Sequence, residues 1–185
     1  MNTFVLKENQ QMFFTSDTHF WHTNVMLYSS RPFRNVKDMN NTMIANWNSK
    51  VKKGDIVFFL GDLAFCSQQK RIDLINELNG RIYWIEGNHD HLTELKKDRI
   101  MNNTDNILNF SSYEFIKVQF KGQRHEIVLC HYPFHSWNKK HFGSIHLHGH
   151  SHGMSNGKIE GRILDVGVDC HNFYPISLDE VLALV

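Results

Sequence analysis

The chain has 185 residues, of which 41% are apolar, and its formal net charge is +1. This length and apolar content suit one core, while no membrane-spanning run, signal peptide or paired cysteine spacing is evident, so a cytoplasmic protein is expected. The near-neutral charge argues against a protein whose main task is to grip the backbone of a long nucleic acid.

The first half of the chain alternates strands and helices. Short apolar runs predict buried strands at residues 12–15, 55–60 and 81–85. Apolar residues at helical spacing predict helices over 37–50 and over about 67–78. This alternating order predicts a parallel sheet whose strands are joined by helical crossovers.

The second half of the chain is richer in strands. Two apolar runs on either side of the turn 121–123 predict a hairpin. The predicted elements are strands at 113–120, 124–130, 144–148 and within 159–168, followed by a helix at 178–184. This order fits two mixed β-sheets packed as a sandwich and flanked by helices, and we interpret residues 1–185 as a single α/β domain.

Short polar motifs follow the predicted strands. Ligands of open α/β sheets bind beyond the carboxyl ends of the strands, so we expect these motifs to meet in one crevice. The motifs are Asp17-Thr18-His19, Gly61-Asp62, Gly87-Asn88-His89-Asp90, His131 and Gly149-His150-Ser151-His152.

The side chains in these motifs are suited to divalent metal ions. Carboxylate and amide oxygens combined with imidazole nitrogens favour manganese, iron, zinc or nickel. Because no cysteine takes part, a closed structural zinc site is disfavoured. The residues are too many for one ion, and two ions about 3.5–4 Å apart require a bridging carboxylate. Asp62, alone on the middle strand, is the natural candidate for that bridge.

These motifs, in this order, resemble the pattern of the calcineurin-like metallophosphoesterases. The chain further resembles a small single-domain type from bacteria and phages, in the first motif extended over residues 17–24, in Arg31-Pro32-Phe33, in Trp47-Asn48 and in Val166-Gly167-Val168-Asp169. The matching motifs run from Asp17 to His152 and so cover most of the chain. The resemblance implies the metallo-dependent phosphatase fold and two divalent cations. Manganese is the expected metal, with iron, zinc and nickel as alternatives.

The resemblance also implies a role for each matching residue. His89 would give a proton to the leaving group while a hydroxide bridging the two metals attacks phosphorus, and Asp90 would orient His89 through a hydrogen bond. The first metal would be held by Asp17, His19, Asp62 and His152, and the second by Asp62, Asn88, His131 and His150.

Residues near the first motif are candidates for substrate binding. His22, Asn24 and Arg31 follow it, and arginine binds phosphate oxygens bidentately. A surface salt bridge is the alternative for Arg31. For His146 and His148, we favour a structural role or support of the metal ligands over an exposed polar face.

The expected activity is hydrolysis of a small, nucleotide-like phosphodiester. A phosphomonoesterase and a non-catalytic scaffold on the same fold are the alternatives. We expect no membrane partner and no long nucleic acid, and a monomer or a homodimer.

Overall fold

A computed structural model describes residues 2–185 as ten strands and five α-helices. The strands are β1 (Asn2–Val5), β2 (Met12–Thr15), β3 (Ile56–Phe59), β4 (Arg81–Ile85), β5 (Ile107–Ser111), β6 (Tyr113–Phe120), β7 (Gln123–Cys130), β8 (Ile145–His148), β9 (Ile163–Asp165) and β10 (Ile176–Ser177). The helices are α1 (Val25–Tyr28), α2 (Val36–Lys50), α3 (Gln68–Glu77), α4 (Glu94–Met101) and α5 (Leu178–Leu184).

The strands form two mixed five-stranded sheets. The first has the order β10-β2-β3-β4-β5, in which β2 to β5 are parallel and β10 is antiparallel at the edge. The second has the order β1-β6-β7-β8-β9, in which only the β6–β7 pair is antiparallel. The predicted α/β sandwich is therefore confirmed, and the 121–123 turn joins β6 to β7 as expected.

Alternate residues of the central strands belong to two separate hydrophobic cores. Phe14 and Phe58 pack with residues of the second sheet such as Ile127 and Leu147. Their neighbours Phe13, Val57 and Phe59 instead join the core formed with α2 and α3. Because successive side chains of a strand point to opposite faces, apolar residues at every position are needed where both faces are covered.

The helices begin at side chains that cap their free N–H groups. Asn35 caps α2 by accepting from the Asp38 amide, and Ser67 caps α3 in the same way, as its sequence predicted. Ser177 and Glu180 form a capping box at the start of α5. Within residues 2–185, no helix is both long and apolar enough to cross a lipid bilayer.

Candidate metal centre

The predicted ligands converge where β2, β3, β4, β7 and β8 end. The Asp62 Oδ2 atom lies 3.5 Å from Nε2 of His19 and 3.5 Å from Nε2 of His131. The Asn88 Oδ1 atom lies 2.9 Å from Nε2 of His131 and 2.9 Å from Nδ1 of His150. Five separate strand ends thus deliver oxygen and nitrogen ligands to one crevice.

Asp17 joins the remaining predicted ligands to this group. Its Oδ1 atom is 3.8 Å from Nε2 of His19 and 3.9 Å from Nε2 of His152. Two sets of potential ligand atoms lie within 4.8 Å of one another, namely Asp17 with His19 and His152, and Asp17 with Asp62 and His131. Both sets contain Asp17, so the bridging role of Asp62 stays a prediction.

Two buried atoms of the crevice have no hydrogen-bond partner among the described residues. They are Oδ1 of Asp17 and Nε2 of His19, which face each other in the first set. Leaving a buried polar atom unpaired usually costs about 1–3 kcal/mol, and a divalent cation between these atoms would satisfy both. The residues present therefore fit the metal that their chemistry predicts.

The charges of the crevice also suit a cation. Burial raises the pKa of Asp17, but His19, His131 and His152 more than offset this and lower it to about 2. Burial and the neighbouring His131 lower the pKa of His150. An ionised carboxylate and a neutral imidazole are the forms that bind metals.

The backbone of the ligand loops is strained. Positive φ angles are rare for residues other than glycine and cost about 1–3 kcal/mol each, so they persist where the surrounding structure imposes them. The five strained ligands are Asp17 (φ 55), His19 (φ 48), Asp62 (φ 62), His150 (φ 66) and His152 (φ 46). Five of the 13 described non-glycine residues with positive φ are therefore predicted ligands of this one crevice, as is common where a site imposes the backbone conformation.

Glycines allow the ligand loops to touch. A Cβ atom on Gly87 would overlap the carboxylate and the backbone nitrogen of Asp62, and one on Gly149 would overlap Oδ2 of Asp17. The loops can approach this closely only because neither position carries a side chain.

Comparison with known proteins identifies the family. Residues 12–154 match the family model described as calcineurin-like phosphoesterase. The chain belongs to this family. It is 33% identical over 183 residues to an uncharacterized protein of Methanocaldococcus jannaschii, covering 95% of this chain and 92% of that protein. It is also 29% identical to the gene 66 protein of Mycobacterium phage D29, covering 94% of this chain and 95% of that protein.

The fold agrees with a solved structure. A crystal structure of a protein of unknown function from Aquifex aeolicus superposes with a TM-score of 0.69 and 24% sequence identity. The match covers 96% of this chain and 100% of the other. This likeness supports the two-sheet fold of the calcineurin-like phosphoesterases, and the roles of individual residues have to come from the geometry of the crevice.

The hydrogen bonds of Asp90 conflict with its predicted role, because its carboxylate makes none to the His89 ring in this structure. Oδ2 of Asp90 accepts from the amides of Asp62 (3.0 Å) and Gly87 (2.8 Å) and from Nε1 of Trp84 (3.0 Å), while Oδ1 accepts from the Leu63 amide (3.0 Å). Burial raises the pKa of Asp90, and the bonds from Gly87 and Leu63 counter it. Asp90 therefore ties the Asp62 loop to the Gly87 loop.

His89 is placed by Asp62 through its backbone. The His89 amide donates to Oδ1 of Asp62 at 2.8 Å, and its imidazole is exposed at the rim of the crevice. The ring centroids of His89 and His19 are 5.7 Å apart. The proton-donor role of His89 stays a prediction.

The predicted binding of substrate by Arg31 conflicts with its environment. The Arg31 side chain is 0% exposed and pairs bidentately with Asp169, with two N···O distances of 2.8 Å. It also donates to the backbone oxygens of Asp17 (2.6 Å) and Thr18 (2.9 Å). No donor is left facing the cleft, and the alternative of a surface salt bridge is wrong as well, because this pair is buried.

Asp169, to which the sequence assigned no role, contacts a predicted metal ligand. Its Oδ2 lies 2.7 Å from Nδ1 of His152, so Nε2 of His152 is free to face Asp17. The hydrogen bond to Asp169 raises the pKa of His152 although burial lowers it. Arg31, Asp169 and His152 thus form a chain of contacts that fixes the orientation of one predicted ligand.

We expect Asp169→Asn to weaken metal binding by about 10- to 100-fold, the usual cost of losing a carboxylate behind a histidine ligand. Isothermal titration of metal-stripped protein with Mn²⁺ measures this, and exposed Asp98→Asn serves as the matched control. Equal affinities for the Asp169 variant and the wild type would refute the orienting role.

The other two candidates for substrate binding lie near the crevice. Nδ1 of His22 is 3.3 Å from Nδ1 of His19, and the His22 ring stacks on Phe65 with centroids 4.0 Å apart. Burial, followed by His19, lowers the pKa of His22. Asn24 is exposed at the start of α1, where its side chain makes no capping bond. Binding of substrate by His22 and Asn24 stays a prediction.

His146 and His148 are buried on β8, so they do not form an exposed polar face. Nδ1 of His148 lies 2.8 Å from the oxygen of Gly149, and Nε2 of His146 accepts from the Phe134 amide at 3.0 Å. Neither histidine belongs to the sets of potential metal ligands among the described residues. Their hydrogen bonds indicate structural roles, as favoured from the sequence.

We expect His146 to make the folded state sensitive to acid. Burial lowers the pKa of His146 from 6.5 to about 4. The neutral ring therefore contributes stability that is fully present above about pH 6.5 and is lost as the pH falls towards 4, about 2 kcal/mol by pH 5. Urea unfolding of wild type and His146→Gln at pH 7.5 and pH 5 should show a smaller acid loss in the variant. Parallel losses would contradict this assignment.

Proposed function

We propose that this protein is a two-metal phosphoesterase that hydrolyses a small phosphodiester. The observation that carries the proposal is the buried, unpaired Asp17–His19 contact, which belongs to the first of two sets of potential metal ligands that share Asp17. Membership of the calcineurin-like phosphoesterase family supports metal-dependent phosphoester hydrolysis in general. The number of ions, the identity of the metal and the class of substrate are parts of this proposal.

All seven predicted ligands would take part in holding the cations. In the proposed assignment Asp62 is shared between the two ions, and this fits its equal distances of 3.5 Å to His19 and His131. The cations would supply Lewis-acid activation of water and neutralise the charge of the phosphate. The first ion would be held by Asp17, His19, Asp62 and His152, and the second by Asp62, Asn88, His131 and His150.

The side chains of the protein would position the substrate and give a proton to the leaving group. The exposed imidazole of His89 stands at the rim of the crevice, where it can reach a leaving-group oxygen. Proton transfer from a positioned side chain usually contributes about 10²- to 10⁴-fold to the rate. The neighbouring Phe65 is 39% exposed, so an aromatic surface at the mouth of the crevice is available to a nucleotide-like substrate.

A metal reconstitution assay tests the function. Metal-stripped protein is reloaded with Mn²⁺, Ni²⁺ or Zn²⁺ and assayed with nitrophenyl phosphate and bis(nitrophenyl) phosphate. We expect metal-dependent hydrolysis with the diester preferred. Preference for the monoester would favour the phosphomonoesterase alternative, and metal binding without hydrolysis of either ester would favour the non-catalytic scaffold.

We expect His89→Ala to lower kcat by about 10²- to 10⁴-fold for a diester with an alkoxide leaving group, and much less for a nitrophenyl ester, because nitrophenolate departs without a proton. Metal content should be unchanged, and exposed His135→Ala is the matched control. An equal loss for both leaving groups would argue against proton donation while leaving the metal site intact.

A further inference from the structure

We propose that a cavity beside His89 is a subsite for an anionic group on the leaving group of the substrate. The cavity has a volume of about 500 Å³. It lies between the loop after β3, the start of α3 and α4, and its walls include Phe65, Arg71, His89 and Lys96. This inference rests on the proposed function, because His89 defines the side from which the leaving group departs.

Arg71 is the feature that points to an anion. The residue is only 6% exposed, and its Nε has no hydrogen-bond partner among residues 2–185. Nη2 donates to the backbone oxygen of Ala64 at 3.1 Å, and no carboxylate of the described chain pairs with the guanidinium. A buried cation without an acidic partner is costly, and an anion bound in the cavity would offset that cost.

A second cation lines the cavity from α4. Lys96 on α4 is half-buried, and its Nζ donates to the backbone oxygen of His91 at 2.8 Å without an acidic partner in the part of the chain that the structure describes. Asp90 is the acid among the lining residues, and both its oxygens already accept backbone or indole N–H groups. The lining therefore carries the two positive charges of Arg71 and Lys96 against the single carboxylate of Asp90, and this excess of positive charge attracts anions.

The position of the cavity decides which part of the substrate enters it. His89 and Phe65 form the border between the cavity and the metal centre, with ring centroids 5.1 Å apart. A leaving group that takes a proton from His89 extends past the exposed ring of Phe65 towards Arg71. The ligand class is therefore a leaving group with a flat ring and a phosphate, as in a nucleotide, so the preferred substrate is a nucleotide-containing diester.

Binding without metal isolates this subsite from the metal centre. We expect a nucleoside 5′-monophosphate to bind to the full chain in EDTA, measured by calorimetry. Arg71→Met and Lys96→Met should each weaken binding about tenfold or more, because each removes a charged partner of the phosphate. Arg99→Met removes an exposed charge elsewhere on α4 and should change affinity less than twofold.

Two results would overturn the subsite. One is equal affinity in wild type, Arg71→Met and Lys96→Met, and the other is equal binding of the unphosphorylated nucleoside. Arg71 also contacts Ala64, so loss of folding in Arg71→Met is checked by thermal unfolding. Lys96 lies at the rim of the cavity, and its side chain makes one exposed hydrogen bond. If Arg71→Met is unstable, the affinity of Lys96→Met alone therefore tests the subsite.

A kinetic experiment separates failure of the subsite from failure of the proposed function. Two aryl phosphodiesters are compared, one whose phenol leaving group carries a carboxylate and one whose carboxylate is methylated. We expect the ratio of kcat/KM for the charged ester to that for the methylated ester to fall about tenfold in Lys96→Met. Comparing this ratio between wild type and variant cancels the difference in intrinsic reactivity of the two esters. Hydrolysis with an unchanged preference refutes the subsite alone. Phosphate-dependent binding in EDTA without hydrolysis of any ester refutes the proposed function alone.

Discussion

Asp62→Asn is expected to lower phosphoesterase activity at least about 10³-fold and to release bound metal. The Asp62 carboxylate lies 3.5 Å from the Nε2 atoms of both His19 and His131, so its charge faces one histidine from each set of potential ligands. Asparagine has nearly the same shape but carries no charge. The measurement is kcat with a phosphodiester, together with the metal content after dialysis.

The same variant should not destabilise the metal-free protein. Asn can still accept the His89 amide that Oδ1 of Asp62 accepts at 2.8 Å, and the substitution removes one of several acids buried in the crevice. Wild type should gain thermal stability when Mn²⁺ is added, whereas the variant should gain much less. Exposed Asp73→Asn controls for the loss of charge. If Asp62→Asn kept the kcat and the metal content of the wild type, Asp62 would not be a metal ligand.

The position of the candidate metal centre was predictable from the sequence. A short strand that is almost entirely apolar, such as Met12–Thr15 or Ile56–Phe59, has to be buried on both faces, and polar ligands can then lie only at its ends. Asp17 and Asp62 follow those two strands directly, so sequence order alone brings them together. The contribution of the second sheet could not be predicted from sequence order alone, because His131 reaches the crevice only through the packing of the two sheets.

The contacts that hold the ligand loops in place were not predictable, because they join residues that no local sequence pattern connects. Arg31 and Asp169 are 138 positions apart, and their pairing depends on how the end of the chain folds back over the first ligand loop. Asp90 bonds mainly to backbone amides, which have no signature in a side-chain pattern. Strand β5 was also missed, because ILNFS lacks regular alternation and lies half-buried at a sheet edge.

Asp90→Ala is expected to destabilise the fold by about 4 kcal/mol. Asp90 is 1% exposed and accepts four N–H groups, from Asp62, Leu63, Gly87 and Trp84. Each buried donor left unsatisfied costs about 1–3 kcal/mol, and partial relaxation or entry of water reduces the sum. For a chain of this size the melting temperature should fall by about 8–16 °C.

The Asp90 variant also decides between its two roles. Asp98→Ala removes an exposed acid that follows the same loop, and it should change the free energy of unfolding by less than about 0.5 kcal/mol. If Asp90 ties the two ligand loops together, stability and metal affinity should fall in parallel, because Asp62 and Gly87 lose their common anchor. Wild-type stability and metal affinity combined with a loss of kcat would instead restore the role of orienting His89, through contacts formed only with substrate bound. Urea unfolding and Mn²⁺ titration of the same samples separate these outcomes.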